Sequence, residues 1–150
     1  MKALLVIDVQ REYMEKYPPD LLPKVNARIA QALEHNELII YIKNVRRLRS
    51  GTTAYAFAEQ LMVCSPHIFL KERASIFSNA ALLALLRQSD VSEVEIIGVD
   101  GNCCVASSAI DAKKLGYAVT LPCQCIGIQN RERFEKKKTT LSKQGIAVWE

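Results

Sequence analysis

The feature that most constrains this chain is the continuous apolar run from Ala3 to Ile7, which ends at Asp8. Periodicity alone does not distinguish such a run from a buried helix segment, but its length is typical of a strand that is buried on both faces. Strands of this kind belong to parallel sheets whose two faces are covered by helices. The opening residues therefore predict the first strand of such a sheet.

Short runs rich in β-branched and aromatic residues alternate along the chain with segments of helical spacing. The predicted strands cover residues 2–9, 38–45, 68–71, 93–99, 117–122 and 146–149. The predicted helices cover residues 20–36, 79–88, 104–115 and 130–143, with a further short helix over 54–62. Asp20 and either Ser78 or Asn79 are expected to cap helix N-termini, and Gly116 to end a helix. This alternation predicts βαβ units, and hence an α/β three-layer α/β/α sandwich in one domain over residues 1–150.

Composition excludes several classes of protein. Hydrophobic residues make up 49% and charged residues 24% of the chain, as in ordinary globular domains. No apolar run approaches the roughly 18 residues of a membrane span, and the N-terminus lacks a signal-peptide pattern, so we expect a cytoplasmic protein without a membrane partner. The net charge of +4 is mostly scattered, which does not indicate a nucleic-acid partner.

The cysteines do not form a recognisable framework. Five is an odd number, and the chain shows no export signal, so we expect reduced thiols rather than a disulfide framework. The pairs Cys103-Cys104 and Cys123-x-Cys125 lack the two-residue gap of a zinc knuckle. The cysteine pattern therefore does not predict structural zinc.

Three chemically useful side chains lie where predicted strands end or a helix begins. Asp8 ends the first strand, Lys71 ends the third, and Cys104 begins the helix after the fourth. Because ligands bind beyond the carboxyl ends of parallel strands, we expect the three side chains to share one rim. A carboxylate, a cation and a thiol at a helix N-terminus can form a nucleophilic site, and the helix dipole is expected to lower the pKa of the thiol.

Each residue also has an ordinary structural explanation. Cysteine is often buried and inert, aspartate often caps a loop or helix, and a lysine at a strand end often reaches solvent with its stem packed. The combination of the three, rather than any one of them, predicts catalysis.

Three motifs in the same order resemble the isochorismatase-like cysteine hydrolase family. They are residues 3–10 (ALLVIDVQ) with Tyr13 just after, 70–77 (LKERASIF) and 97–105 (IGVDGNCCV). The resemblance extends over nearly the whole chain and implies a six-stranded parallel sheet with a catalytic Asp8, Lys71 and Cys104. Cys104 rather than Cys103 matches the family nucleophile, because that residue directly precedes a valine.

The resemblance also implies a reaction. It is the cleavage of an amide-type C–N bond of a small molecule through a covalent thioester. The resemblance further implies that backbone N–H groups of Asp100 and Cys104 stabilise the oxyanion, and that the Val99-Asp100 peptide bond is cis. Tyr13 is expected to face the substrate, although an ordinary packed aromatic residue is the alternative. The family is usually dimeric or larger, and a candidate contact patch consists of Tyr55, Phe57, Leu61 and Met62.

The chain departs from the family in the loop after the second strand. The metal-dependent branch uses an acid and two histidines there, whereas residues 44–51 (NVRRLRSG) contain neither, so we expect no metal and no cofactor. The arginines of this loop, Arg46, Arg47 and Arg49, either bind an anionic substrate or remain solvated. His67 is close to Lys71 in sequence, but one imidazole would make an incomplete metal site.

Two other functions compete with hydrolysis. A dinucleotide-binding domain would need a glycine-rich turn after the first strand, but the first glycine is Gly51. A catalytically silent relative that binds a small molecule, or serves as an assembly subunit, stays open and predicts an unreactive Cys104.

Overall fold

The structure, a computed structural model, describes residues 1–45 and 55–150. The strands are β1 (Lys2–Ile7), β2 (Leu38–Asn44), β3 (Ile68–Lys71), β4 (Glu93–Val99), β5 (Ala118–Pro122), β6 (Ile126–Gly127) and β7 (Ala147–Trp149). The helices are α1 (Arg11–Met14), α2 (Leu21–Glu34), α3 (Ala80–Gln88), α4 (Cys104–Lys114) and α5 (Arg131–Lys143), and short 3₁₀ turns cover Ile76–Ser78 and Cys123–Cys125.

The sheet is parallel throughout its ladders, in the order β3-β2-β1-β4-β5-β7. β6 lies off this path and pairs with the last two residues of β4, beyond the part of β4 that pairs with β5. The expectation of a mainly parallel sheet with six strands in its main order is confirmed, with β6 as a short addition.

Two apolar clusters cover the two faces of this sheet. One packs α3, α4 and α5 against it, and its largest side chains include Ile40, Leu82 and Phe134. The other packs α2 against the opposite face through Val25 and Ile29. The three-layer α/β/α arrangement therefore follows from strands that are apolar on both sides.

The helix ends agree with the capping signals in part. The Asn79 side chain accepts hydrogen bonds from the N–H groups of Ala81 and Leu82, and Gly116 ends its helix with a φ of 98°. Asp20 precedes α2 but makes no capping hydrogen bond, and its carboxylate pairs instead with Lys24 at 3.0 Å. An exposed ion pair one helical turn away has replaced the expected cap.

The predicted helix over 54–62 is wrong for residues 55–62. These residues form turns and extended chain, in which Phe57 makes an antiparallel bridge with Gln10. The missed elements are α1, β6 and the two 3₁₀ turns, which are too short to produce a hydrophobic period.

The predicted contact patch is only partly exposed. Leu61 is 8% exposed, and Tyr55 and Phe57 are half-buried, with Phe57 packed against Tyr41. Met62 is 37% exposed. Leu61 therefore belongs to the core of its own chain, and Phe57 packs against that core.

Among the residues that the structure describes, no helix has the length and apolar character needed to cross a membrane.

The order of the strands reverses between β1 and β4, at the centre of the sheet. Here the two strands approach closely, since a Cβ atom at Gly98 would lie 2.1 Å from the carbonyl oxygen of Ile7. Gly98 also has a φ of 115°, which favours glycine. The crevice at the carboxyl end of this pair of strands is where parallel sheets bind ligands.

Candidate active site

Asp8 is the first residue after β1 and turns the chain away from the sheet. It has a φ of 56°, an uncommon value for a residue other than glycine. Its N–H donates to the carbonyl of Ile42 at 3.0 Å, which holds the turn against β2. The residue is 3% exposed, so its carboxylate lies inside the crevice.

Lys71 reaches the same point from the end of β3. Its Nζ lies 3.2 Å from Oδ2 of Asp8 and 3.2 Å from Sγ of Cys104, and it donates to the carbonyl of Arg73 at 3.0 Å. An ammonium group has three protons, and these three neighbours account for all of them. The side chain is fully buried, so its charge acts on Asp8 and Cys104 with little screening by water.

Cys104 is the first residue of α4, as the sequence predicted. The prediction that the pKa of its thiol is lowered is wrong. Burial and the negative charge of Asp8 raise the pKa of the thiol to about 11, although Lys71 opposes them. The helix dipole, worth about 0.3–1 kcal/mol at a terminus, does not offset these effects. In the free protein at neutral pH Cys104 is therefore a thiol.

The carboxyl group of Asp8 is the acceptor next to that thiol. Burial raises its pKa above the usual 3.8, while Lys71, the Cys104 thiol and Asn44 oppose the shift. Its Oδ1 is buried and has no hydrogen-bond partner among the described residues. An unsatisfied oxygen beside a neutral thiol is able to receive a proton.

The loop between β4 and α4 presents two backbone donors. The Val99-Asp100 peptide bond is cis, as the resemblance implied. Within this loop, acceptors are present for the N–H groups of Gly101, Asn102, Cys103 and Val105. The N–H groups of Asp100 and Cys104 have no acceptor among residues 1–45 and 55–150. They are the two N–H groups that the resemblance implied for the oxyanion.

A cavity of about 190 Å³ opens above these groups. Its described lining consists of Asp8, Tyr13, Lys16, Tyr17, Asn44, Val99, Asp100, Cys103, Cys104 and Gln129. Tyr13 therefore lies where the sequence placed it, and burial and Glu12 raise its pKa to about 12. Lys16 is exposed at this cavity, with its ammonium 5.7 Å from the centre of the Tyr13 ring.

Sequence reasoning missed Asn44, Lys16, Tyr17 and Gln129 in this lining. Asn44 ends β2, so its position at the carboxyl end of a strand beside β1 was a usable signal. The Gln10 side chain fixes it by accepting from the Asn44 N–H at 2.7 Å and donating to the Asn44 carbonyl at 3.1 Å. Tyr17 and Gln129 arrive from distant segments and had no such signal.

The arginines after the second strand and His67 were the other candidates from the sequence. Arg46, Arg47 and Arg49 lie outside the described residues. His67 precedes β3 while Lys71 ends it, which separates the two residues by about 13 Å along an extended strand. His67 is therefore at the other end of that strand from the cavity.

Known proteins resemble this chain in sequence and in structure. An uncharacterised isochorismatase family protein of Bacillus subtilis is 26% identical, over 89% of this chain and 84% of its own. A streptothricin hydrolase of Streptomyces noursei is 28% identical over 81% of this chain, which covers 48% of that protein. The crystal structure of a pyrazinamidase of Pyrococcus horikoshii in complex with zinc matches with a TM-score of 0.87 at 25% identity, covering 98% of this chain and 97% of that one.

The pyrazinamidase of Pyrococcus horikoshii was crystallised in complex with zinc. Within residues 1–45 and 55–150, no three His, Cys, Asp or Glu side chains come together as a metal site. Residues 46–54 (RRLRSGTTA) contain none of these residue types. The donor set of this chain does not fit a zinc ion held by imidazole and carboxylate ligands.

The family assignment extends over almost the entire chain. The isochorismatase domain model matches residues 2–149, which include Asp8, Lys71 and Cys104. The parallel sheet with helices on both faces, the reversal of strand order and the matching structures agree with this model. The chain belongs to the isochorismatase family.

Proposed function

We propose that this protein is a cysteine hydrolase that cleaves an amide-type C–N bond of a small molecule through a thioester on Cys104. One observation carries the proposal: the buried ammonium of Lys71 lies 3.2 Å from both the Asp8 carboxylate and the Cys104 sulfur. A base, a nucleophile and a fixed positive charge are thus in contact below a small cavity. The pyrazinamidase and streptothricin hydrolase among the similar proteins support a hydrolytic role.

The first step transfers the thiol proton of Cys104 to Asp8. Both pKa values are raised, which keeps Cys104 protonated and makes Asp8 a stronger base than an exposed aspartate. The sulfur then forms a bond to the amide carbon, and the carbonyl becomes an oxyanion. Lys71 stays charged throughout and stabilises the anionic groups without transferring a proton.

The oxyanion is stabilised by backbone donors. The N–H groups of Asp100 and Cys104 have no acceptor among the described residues, so they are available to the substrate oxygen. Loss of one such donor typically costs about 10²–10³ in kcat.

The leaving group and water complete the cycle. Asp8 returns the proton to the departing nitrogen as the C–N bond breaks, which releases ammonia or an amine and leaves the acyl group on Cys104. Asp8 then takes a proton from water, whose oxygen attacks the thioester carbon. Release of the carboxylic acid restores the thiol, so the sum is amide plus water giving acid plus ammonia or amine.

The test is a screen of small amides and ureides for ammonia release. The wild-type protein is compared with Cys104→Ala, which should lose turnover by a factor of at least about 10³, as expected when a nucleophile is removed. Cys123→Ala is the matched control, since it removes a half-buried thiol that does not line this cavity.

Covalent labelling supplies a second readout. Mass spectrometry of the wild-type protein trapped during turnover should show one acyl group on the peptide that contains Cys104. A Cys104→Ala variant with wild-type turnover would reject the mechanism. An unreactive Cys104, together with saturable binding of a small molecule, would instead support the silent binding or assembly subunit.

A further inference from the structure

The carboxylate of Asp100 is fixed beside the reaction centre by an unusual set of contacts. Its Oδ2 accepts hydrogen bonds from the Tyr17 hydroxyl and from the Gln129 N–H, both at 3.0 Å. Its Oδ1 accepts from the Asn102 N–H at 2.8 Å. Three donors thus hold one side chain, and an ionised aspartate is able to accept them all.

Three separate segments supply those contacts, so the position of the carboxylate is well defined. Tyr17 follows α1, Asn102 belongs to the loop before α4, and Gln129 follows β6. The Tyr17 ring also packs against Gly127, where an added Cβ atom would lie 2.7 Å from the ring. A larger residue at position 127 would displace the tyrosine from Asp100.

Asp100 forms no ion pair with a cation of the part of the chain that the structure describes. No lysine, arginine or histidine nitrogen of residues 1–45 and 55–150 forms an ion pair with it, and its three donors are neutral groups. Asp8, by contrast, is paired with Lys71. Both acids line the same cavity as the Cys104 thiol, so Asp100 supplies a negative charge that none of the described cations pairs with.

We propose that Asp100 determines specificity, and that the preferred substrate is an amide that carries a positively charged nitrogen near the scissile carbonyl. The argument rests on the proposed function for the amide, while the choice of charge rests on Asp100 alone. A cation in the cavity would pair with this carboxylate, whereas an anion would lie close to it without compensation. Tyr17 acts through Asp100, as a positioning residue that holds the carboxylate towards the ligand.

Among the described residues that line this cavity, Lys16 carries the opposing charge, but it is exposed to solvent. Water and salt screen its effect more strongly than that of Asp100, which three protein donors hold in place. Removal of Lys16 should therefore strengthen the preference for cations, and removal of Asp100 should abolish it.

Charged thiol reagents test this inference without knowledge of the substrate. A Cys103→Ser background removes the neighbouring cavity thiol, and peptide mapping follows the modification of Cys104. Three methanethiosulfonates are compared, with trimethylammonium-ethyl, methyl and sulfonate-ethyl groups. With each rate of Cys104 modification divided by that of the neutral methyl reagent, the cationic reagent should react faster than the anionic one. Asp100→Asn should reduce this ratio of cationic to anionic rates by about tenfold.

Asp111→Asn is the matched control. It removes the same charge from the same region, but lies about 10 Å further along α4 and outside the cavity lining. It should change the preference by less than about twofold. Equal losses in the two variants would show that net charge, not Asp100, sets the preference.

A protection experiment uses the wild-type protein and needs no variant. Betaine amide and 3,3-dimethylbutanamide have the same shape and differ in one positive charge, so each is tested for its ability to slow modification of Cys104 by the methyl reagent. Protection by betaine amide should require about tenfold less compound. Equal protection by the two amides, or none by either, would overturn the inference. This holds even if the loss of turnover in Cys104→Ala has shown that the wild-type protein hydrolyses amides.

Discussion

Two buried ionic clusters lie at opposite ends of the central strands and differ in how completely they are paired. The first, here called the rim cluster, consists of Asp8, Lys71 and Cys104. The second, called the base cluster, consists of Lys2, Arg28, Glu37 and Glu95. Both place charges beside the sheet, and in the rim cluster Asp8 and Cys104 also line a cavity.

Every acidic group of the base cluster has a cationic partner. In Glu95, Oε1 lies 2.9 Å from Lys2 Nζ and Oε2 lies 2.5 Å from Arg28 Nε. Arg28 also bonds Glu37 at 2.7 Å. The rim cluster instead leaves Oδ1 of Asp8 without a partner among the described residues. Burial of charge is common to both, so an unsatisfied acceptor beside a thiol is what distinguishes the candidate site.

The largest expected contrast is in catalysis. Asp8→Asn should lower kcat by about 10²–10⁴, because the variant loses the base that receives the thiol proton. Glu95→Gln should leave kcat within about threefold of wild type, since that side chain touches no substrate. Steady-state rates of ammonia release, corrected for the folded fraction, measure both. Similar losses in the two variants would remove the distinction between the clusters.

Removal of a cation should lower the stability of the protein in either cluster, but it should lower activity only in the rim cluster. Lys71→Met leaves the buried Asp8 carboxylate without its cation. Arg28→Met leaves the largely buried Glu37 carboxylate without its arginine partner, while Glu95 keeps Lys2. Each change should lower the free energy of unfolding by about 3–5 kcal/mol. Urea denaturation measures this loss. The folded fraction of Arg28→Met should keep its turnover per molecule, whereas Lys71→Met should lose turnover as well. An active Lys71→Met would contradict the role given to its charge.

The pH dependence of the rim cluster follows from two raised pKa values. The reactive form has an ionised Asp8 and a Cys104 thiol, so kcat/KM should rise with pH through the Asp8 pKa, which lies above 3.8. Alkylation of Cys104 by neutral iodoacetamide should continue to accelerate up to about pH 11. A rate that levels off below pH 8 would show that the thiol is already ionised at neutral pH.

The raised pKa of Asp8 also makes the free energy of unfolding depend on pH. Because the pKa of Asp8 is higher in the folded protein than its usual 3.8, the folded state holds this proton more tightly. The contribution of Asp8 to the free energy of unfolding is therefore largest below pH 3.8 and falls as pH rises through its folded pKa. A comparison of wild type and Asp8→Asn by thermal denaturation across this range isolates the contribution.

The smallest expected effect is that of metal removal. Neither cluster brings together three metal-ligating side chains within the described residues, and residues 46–54 add none. Activity should therefore change by less than about twofold after prolonged chelation. Loss of activity that zinc, iron or manganese restores would place a metal at a site that the described residues do not form.

Much of the fold was predictable because each main strand is an apolar run and each long helix has a regular hydrophobic period. The ends of β1 and β3 and the start of α4 placed Asp8, Lys71 and Cys104 at one rim, since the ends of parallel strands coincide. The helix predicted over residues 55–62 was wrong, and Leu61 is buried rather than exposed, because a mixed apolar segment without a clear period does not reveal its structure or its burial. Cytoplasmic location and oligomeric state stay predictions.

The amino-acid sequence by itself determined the layers, the three motifs and the identity of the candidate catalytic side chains. Tertiary structure decided their chemical state, because burial and the charge of Asp8 outweigh the helix dipole and raise the pKa of Cys104. It also brought Tyr17 to Asp100 and Arg28 to Glu95, contacts that span 83 and 67 positions of the chain. Local patterns carry no information about such pairs, since the pairs exist only after the strands and helices have packed together.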